Sequence, residues 1–258
     1  MTPTSGPGSL AGRVVLVTRP QDEAAVLARR LERRGARVVL APAIRIVPAR
    51  SAALTRALGD LTAGRFAWVV LTSPRTVAML ADRLDSPADL RACVAAIGDG
   101  TAAAFRRWSR RTPHLRPTTF TTAALARAFP RGEGRVLCAR ADIAPAGLED
   151  ALAEKGWAPT RVDAYRTQMA RSLPPEARAS LRSGEVDAIT FTSASTVRGF
   201  VGALRAVRGD PRVVCIGPVT AREARGHGLV VHAVARPHTL DGVVDAVERA
   251  LARYRSTT

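Results

Sequence analysis

Short apolar runs rich in β-branched residues alternate along the chain with longer segments in which apolar residues recur at helical spacing. Residues 213–216, Val-Val-Cys-Ile, are typical of the short runs and predict a buried parallel strand. Gly217 and Pro218 end that strand and begin a helix, because proline suits the first helical position. Strands that alternate with helices throughout predict an α/β fold, with parallel sheets flanked by helices on both faces.

Three of the strand-and-turn units occur twice, at a nearly constant interval. The pairs, with their offsets, are residues 68–77 and 188–197 (120), 97–102 and 216–221 (119), and 12–15 and 134–137 (122). Three matches within a few residues of one interval predict an internal duplication, and therefore two similar α/β domains. Two extended segments, one between Pro42 and Pro48 and one at Tyr165, are candidate connectors between the domains.

Polar turns follow the predicted strands in both halves of the chain. Their hydroxyl residues are Thr18, Thr72, Ser73, Thr101, Thr192, Ser193, Ser195 and Thr220. Ligands of open α/β sheets bind at the carboxyl ends of the strands, and two facing domains would form a cleft lined by both sets of turns. Hydroxyls and the free N–H groups of helices that begin at Gly98 and Gly217 suit carboxylates or phosphates. Taken singly, each hydroxyl is better explained as a helix N-cap than as a ligand, and the two roles are compatible.

The strong positive charge of the chain has two interpretations, of which one is an anionic partner. The formal net charge is +17, and Lys155 is the single lysine among 39 basic residues. Either the partner is a polyanion, which would be nucleic acid or a substrate with many carboxylates or phosphates, or the arginines lie solvated on helix faces. Aromatic residues make up 4% of the chain and do not interleave with basic ones, which argues against a single-stranded nucleic-acid groove.

The sequence contains no motif for a metal site, a nucleotide-binding loop, a catalytic serine or cysteine, or a membrane span. Cys93, Cys138 and Cys215 lie in or beside apolar runs and are predicted to be buried core thiols. No histidine has a metal-ligand spacing, so no metal is expected. No glycine-rich nucleotide motif or nucleophile elbow follows a strand, and no apolar run approaches the length of a membrane span. Residues 1–11 are predicted to be a disordered tail without a secretory signal, which suggests the cytoplasm.

Six short motifs occur in order along nearly the whole chain. They are Thr18-Arg19-Pro20, Thr72-Ser73-Pro74-Arg75, Ile97-Gly98 with Thr101, Tyr165-Arg166-Thr167, Phe191-Thr192-Ser193, and Ile216-Gly217-Pro218 with Thr220. In order and spacing they resemble the motifs of uroporphyrinogen-III synthases. The resemblance implies two α/β domains joined by a two-stranded connector. The implied domains are residues 12–41 with 170–258, and residues 49–163, with connector strands at 42–48 and 164–169.

The resemblance also implies a reaction. It is the cyclisation of the linear tetrapyrrole hydroxymethylbilane to uroporphyrinogen III, with loss of water, inversion of ring D and no cofactor. The substrate carries eight carboxylates, which gives a basic, hydroxyl-rich cleft a purpose. Tyr165 matches the functional tyrosine of the family and is the candidate donor to the leaving hydroxyl, with packing at the hinge as the alternative. A transient contact with the enzyme that produces hydroxymethylbilane is a further expectation.

The hydroxyl residues and the Gly98 and Gly217 backbones are the implied carboxylate ligands. Arg19, Arg75 and Arg140 would add charge, although a solvated surface position explains each arginine equally well. Asp99 stands where the second copy has Pro218, and its carboxylate would repel the substrate unless it points away or caps its helix.

Two alternatives from other classes stay open. One is a non-catalytic two-domain protein that binds an anionic, tetrapyrrole-like ligand and shares every feature of the fold. The other is a nucleic-acid-binding protein, which the lack of a recognisable module disfavours.

Overall fold

The computed structural model describes residues 8–204 and 207–252. The chain forms two compact units, each with its own hydrophobic cores. Unit 1 contains the chain up to Arg45 and from Gln168 onward, and unit 2 contains residues 46–167. The chain therefore passes between the units twice, after Arg45 and after Thr167.

The strands and helices follow the predicted alternation. In chain order, the strands of the described residues are β1 (Val14–Val17), β2 (Arg37–Leu40), β3 (Ile44–Pro48), β4 (Trp68–Leu71), β5 (Cys93–Ala96), β6 (Arg135–Ala141), β7 (Ala158–Met169), β8 (Ala188–Phe191), β9 (Arg212–Cys215) and β10 (Val231–Val234). The α-helices are α1 (Gln21–Glu32), α2 (Ala52–Thr62), α3 (Pro74–Ala81), α4 (Asp99–Ser109), α5 (Thr122–Ala128), α6 (Leu148–Ala153), α7 (Pro175–Ser183), α8 (Ala194–Ala203), α9 (Pro218–Gly226) and α10 (Leu240–Ala252). A short 3-10 helix, Pro87–Asp89, precedes β5 and is not predicted by the sequence pattern.

The sheet of unit 1 has the strand order β10-β9-β8-β1-β2, and each neighbouring pair is parallel. Side chains of β1 alternate between two cores. Leu16 packs in the core formed with α7, α8 and α9, and Val15 and Val17 pack in the core formed with α1 and α10. Burial on both faces explains why these strands are almost wholly apolar.

The sheet of unit 2 has the order β3-β7-β6-β4-β5, and the strands from β7 to β5 are parallel. Leu137 and Ala139 of β6 face a core formed with α2, α3 and α4. Val136 and Cys138 face a second core formed with α5 and α6. Parallel sheets flanked by helices on both faces confirm the predicted α/β class.

The two sheets repeat one strand order, as an internal duplication predicts. The strands β9-β8-β1 of unit 1 correspond in order and sequence offset to β5-β4-β6 of unit 2. Two histidines extend the match, although the sequence analysis gave them no role. Nδ1 of His114 accepts a hydrogen bond from the N–H of Val94, and Nδ1 of His232 accepts one from the N–H of Val213, both at 3.0 Å. Each histidine therefore satisfies a backbone donor of β5 or β9.

The tail prediction is wrong for the residues nearest the first strand. Leu10 is fully buried in the core of unit 1, and its N–H donates to the carbonyl of Arg34 at 2.8 Å. Apolar contact and a backbone hydrogen bond thus order a segment whose glycines and serine suggested a tail. Residues 1–7 of the predicted tail lie outside the described residues.

Candidate functional site

Tyr165 and Ser73 meet at the carboxyl ends of the strands of unit 2. Ser73 follows β4, and Tyr165 lies in β7 opposite Ala141, the last residue of β6. The two hydroxyl oxygens are 3.1 Å apart, a hydrogen-bond distance at which either can be the donor. Ser73 Oγ also accepts from the N–H of Thr76 at 3.2 Å and so caps α3. One serine oxygen therefore links a helix cap to a phenol.

Asp142 holds the backbone that follows Tyr165, from its carbonyl to the N–H of Thr167, a role that the sequence pattern did not reveal. The Asp142 N–H donates to the Tyr165 carbonyl at 3.1 Å, and the Asp142 carboxylate accepts from the Thr167 N–H at 3.0 Å. The same carboxylate oxygen accepts from the Ile143 N–H at 2.9 Å. The available signal was an acidic residue after a buried strand, and that is also common in ordinary turns.

The turn at Gly98 contains an ion pair that resolves the expected repulsion by Asp99. Asp99 pairs with Arg116 at 2.7 Å, so a positive charge compensates its carboxylate beside the turn. The Arg116 guanidinium lies 6.0 Å from the centroid of the Phe120 ring. That ring rests on Gly98, since a Cβ added at Gly98 would lie 2.9 Å from the ring Cγ. Gly98 begins α4 without a side-chain cap, which leaves the first N–H groups of the helix without intrahelical partners.

The turn after β8 in unit 1 corresponds to the Ser73 turn of unit 2 and contains a cluster of hydroxyl side chains. Ser193 caps α8 by accepting from the N–H of Thr196 at 3.2 Å, as Ser73 does for α3. The Ser193 and Ser195 hydroxyl oxygens are 2.9 Å apart, and Thr192 beside them is half-buried. The duplicated sequence thus gives the same helix cap in both units. The further partner of the capping serine differs: it is the Ser195 hydroxyl for Ser193 and the Tyr165 phenol for Ser73.

The second such turn of unit 1 follows β9, where Gly217 begins α9. The exposed ring of His238 lies beside it, because a Cβ added at Gly217 would be 3.7 Å from His238 Cγ. Nδ1 of His238 lies 2.8 Å from the Ala235 carbonyl and therefore donates its proton to that oxygen. Thr220 and its counterpart Thr101 are only 4% and 3% exposed, so these helix ends offer backbone N–H groups rather than threonine hydroxyls.

Two predicted ligands are enclosed by the protein, which corrects their assignment as substrate contacts. Thr18 is fully buried, and its hydroxyl donates to the Thr190 carbonyl at 2.7 Å. Arg140 is 1% exposed, and its Nη1 contacts both carboxylate oxygens of Glu149 at 2.9 and 2.8 Å. The sequence pattern placed Arg140 after its strand, but β6 continues to Ala141, so Arg140 belongs to the strand and its side chain lies against Glu149 of α6.

The other two predicted arginines lie next to the turns. Arg19 follows Thr18 and pairs with Glu23 at 2.5 Å, with 16% of the arginine side chain exposed. Arg75 is the second residue of α3, two residues after Ser73, and is half-buried. Both side chains are thus partly enclosed rather than fully solvated.

A cavity of about 550 Å³ in unit 2 lies away from Tyr165. Its walls include Arg56, Arg65, Arg135 and Asp60. Asp60 pairs with Arg135 and Arg65, each at 2.8 Å, and the hydrogen bond from Arg135 is the main cause that lowers the Asp60 pKa. Arg135 begins β6 and Tyr165 lies beside its last residue, so this cavity is at the opposite end of that strand.

The thiols are mostly buried, as predicted. Burial raises the pKa of Cys138 and of Cys215 to about 12, so both remain thiols at neutral pH. Cys93 is half-buried, which corrects the prediction for that residue. Across residues 8–204 and 207–252, no three Cys, His, Asp or Glu side chains gather as metal ligands, and no helix has the length and apolar character needed to cross a membrane.

The known proteins that the chain resembles are uroporphyrinogen-III synthases or HemD proteins. The family model described as uroporphyrinogen-III synthase HemD matches residues 25–245. The porphyrin biosynthesis protein HemD of Ruminiclostridium josui is 30% identical over 246 residues, and the match covers 92% of this chain but only 48% of that protein. The uroporphyrinogen-III synthase of Synechococcus elongatus is 27% identical over 259 residues, covering 93% of this chain and 96% of that protein.

Solved structures share the fold. A mutant uroporphyrinogen III synthase from Thermus thermophilus matches with a TM-score of 0.65 at 24% identity, covering 93% of this chain and 99% of that one. The uroporphyrinogen-III synthetase of Helicobacter pylori matches with a TM-score of 0.62 at 15% identity, covering 90% of this chain and 97% of that one.

Proposed function

The chain belongs to the uroporphyrinogen-III synthase family, and from this premise we propose that it cyclises hydroxymethylbilane to uroporphyrinogen III. The reaction is a lyase reaction in tetrapyrrole biosynthesis that loses water and inverts ring D. The observation that carries the proposal is the contact between the Tyr165 and Ser73 hydroxyls, 3.1 Å apart at the strand ends of unit 2. This contact places a proton donor, the Tyr165 phenol, beside the N-terminus of α3, where the helix dipole and free N–H groups favour anions.

The first chemical task is the loss of the terminal hydroxyl of the substrate. The C–O bond breaks and the oxygen leaves as water once it accepts a proton, which gives a cationic azafulvene. Phenols keep their proton at neutral pH, so Tyr165 can donate a proton or a hydrogen bond to the leaving oxygen. Ser73 then donates to the phenol oxygen as negative charge develops there, which stabilises the departure.

The second task is to direct bond formation to the substituted carbon of ring D. The azafulvene carbon bonds to that position rather than to the free end only when the chain is held in the matching geometry, and such positioning supplies much of the rate. The bond between that carbon and the bridge to ring C then breaks and re-forms at the free position of ring D. Ring D loses a proton there, so the net loss is one water. Both units are proposed to donate hydrogen bonds to the carboxylates of the substrate. In unit 2 the donors are Thr72, Ser73, Arg75 and the N–H groups that follow Gly98 and precede Thr101. In unit 1 they are Arg19, Thr192, Ser193, Ser195 and the N–H groups from Gly217 to Thr220.

Two finer expectations belong to the same proposal. A cytoplasmic location places the protein with a substrate that carries eight carboxylates and does not cross membranes unaided. A transient contact with the enzyme that forms hydroxymethylbilane would shorten the exposure of that linear chain to spontaneous closure. Cell fractionation tests the first expectation, and a rate comparison with and without the upstream enzyme tests the second.

The proposal is tested by adding purified protein to freshly prepared hydroxymethylbilane without a cofactor and separating the porphyrin isomers after oxidation. Uncatalysed closure gives isomer I, so an excess of isomer III that rises with protein concentration is the expected result. A heat-denatured sample is the control. Isomer I alone, at the uncatalysed rate, would overturn the proposal and favour a non-catalytic protein that binds an anionic ligand.

A further inference from the structure

Phe120 is an exposed aromatic residue at the same edge of unit 2 as Tyr165. The large apolar residues with more than a third of their surface exposed, within the described residues, are Val26, Phe120, Ile143, Met169, Val207, Val219 and Val230. Phe120 is the aromatic residue in this group and is 52% exposed. A single exposed apolar side chain is common on protein surfaces, so a binding role for Phe120 depends on its neighbours and not on its exposure alone.

The Phe120 ring is held in place by the turn beneath it. It packs on the Gly98 backbone so closely that a Cβ there would lie 2.9 and 3.1 Å from two ring atoms, Cγ and Cδ1, and 3.1 Å from the Phe120 Cβ. Arg116 lies beside the ring, 6.0 Å from its centroid, and forms an exposed ion pair with Asp99. One side of the ring therefore rests on the backbone of the Gly98 turn, and the rest of its surface is open to a ligand.

The turns after β4 and β5 lie between this ring and Tyr165. Tyr165 contacts Ser73, Pro74 lies 3.9 Å from the position of a Cβ at Gly100, and Gly98 supports Phe120. The strands involved, β7, β6, β4 and β5, are neighbours in the sheet. Three strand spacings separate the outermost two, about 14 Å. A linear chain of four linked pyrrole rings is long enough to extend from one position to the other.

We propose that Phe120 is a substrate-binding residue that stacks against a pyrrole ring of the bound tetrapyrrole, an inference that rests on the proposed function. The hydroxyl and N–H groups of the turns suit the carboxylates but offer nothing to the faces of the rings. Phe120 supplies an apolar face at this edge, and stacked aromatic rings attract each other beyond the area they bury. Arg116 compensates Asp99 beside it, so the neighbouring turn does not repel the acidic side chains of the same ring.

The test compares Phe120→Ala, Phe120→Leu and Phe120→Tyr with the unaltered protein. Two quantities are measured: KM and kcat for hydroxymethylbilane, and the dissociation constant of uroporphyrin III, followed by its fluorescence. We expect Phe120→Ala to raise KM and the dissociation constant about tenfold, since one base stacked on an aromatic residue contributes a comparable amount in other proteins. Phe120→Tyr keeps both values within about twofold because it keeps the ring, and kcat stays nearly constant because the contact precedes the chemical step.

Val230→Ala is the matched control, because Val230 is 69% exposed in unit 1 and belongs to none of the turns discussed above. Thermal unfolding of every variant separates loss of contact from loss of fold. Unchanged constants in Phe120→Ala, a fall in kcat alone, or full affinity in Phe120→Leu would each overturn the stacking proposal. The binding measurement does not depend on turnover, so it decides the role of Phe120 even if the protein makes no isomer III.

Discussion

Gly199 in α8 lies directly against the carbonyl oxygen of Ala43, in the segment that leads from β2 to β3. A methyl group at position 199 would overlap that oxygen, which also accepts the N–H of Ala170 at 2.9 Å. The helix therefore packs backbone to backbone against the segment that leaves unit 1.

We expect Gly199→Ala to destabilise the protein by about 1–3 kcal/mol, because backbone atoms cannot move aside as a flexible side chain can. Gly202→Ala is the control, since Gly202 lies in the same helix and its Cβ would meet nothing within 4 Å. That substitution should stabilise the helix by about 0.5–1 kcal/mol. Urea unfolding measures both changes, and equal midpoints for the two variants would contradict the packing argument.

Tyr165→Phe should lower kcat about 100-fold, the lower end of the effect of a general acid, while KM changes little. The reason is that the phenol is proposed to act on the leaving oxygen and not to bind the carboxylates. Product analysis with hydroxymethylbilane measures the rate of isomer III formation. Wild-type kcat in this variant would leave Tyr165 with a packing role only.

Ser73→Ala should also slow the reaction, because it removes the hydrogen-bond partner of the phenol. The same substitution removes the α3 cap, which costs about 1 kcal/mol of stability. Ser193→Ala removes the equivalent cap of α8 and measures that contribution separately by unfolding. If Tyr165→Phe and the double variant with Ser73→Ala have the same kcat, the two hydroxyls act as one unit.

Asp142→Ala should lower activity about tenfold by loosening the backbone that follows Tyr165. The backbone N–H of residue 142 still donates to the Tyr165 carbonyl in this variant, but the carboxylate is lost. The Thr167 and Ile143 N–H groups lose their acceptor in this variant. Asp142→Asn keeps an acceptor oxygen and should restore most of the activity. Hydrogen exchange at the Thr167 amide provides the direct readout, and we expect it to accelerate in Asp142→Ala alone.

Glu149→Ala should destabilise the protein by about 3–5 kcal/mol, because it leaves the Arg140 guanidinium buried without its counter-charge. Glu185→Ala is a matched control, since Glu185 and Arg37 form an ion pair at 2.8 Å with both side chains well exposed. That variant should unfold at nearly the wild-type urea concentration. A small effect of Glu149→Ala would mean that water or another acceptor reaches Arg140.

The free energy of unfolding should decrease at acidic pH, because protonation of His232 is less favourable in the folded protein than in the unfolded chain. Burial, followed by the nearby Arg212 charge, lowers the pKa of His232 from its ordinary value of 6.5. The unfolded chain therefore binds a proton more readily, so the contribution of His232 is complete above about pH 6.5 and is lost progressively below it. His232→Asn keeps an acceptor for the Val213 N–H but does not titrate. Its unfolding free energy should decline less between about pH 7 and 5 than that of the wild type.

The sequence by itself determined the α/β class, the internal duplication and the positions of the turns. These features are local: the spacing of apolar residues selects strand or helix, and glycine, proline and serine mark where helices begin. The resemblance then named Tyr165 and Ser73 as separate members of one motif set. Ser73 and Ser193 cap their helices for the same local reason, which is why both could be recognised in advance.

Only the tertiary structure decided which of these residues meet. Ser73 and Tyr165 are 92 positions apart, and their contact depends on β6 lying between β4 and β7 in the sheet. Arg140 was expected at a polar strand end, but one further residue of pairing in β6 and the carboxylate of Glu149 keep it inside. Leu10 and Phe120 likewise take their roles from distant partners, Arg34 and Gly98. Strand order sets such contacts, and the local spacing of apolar residues, which selects strand or helix, does not encode that order.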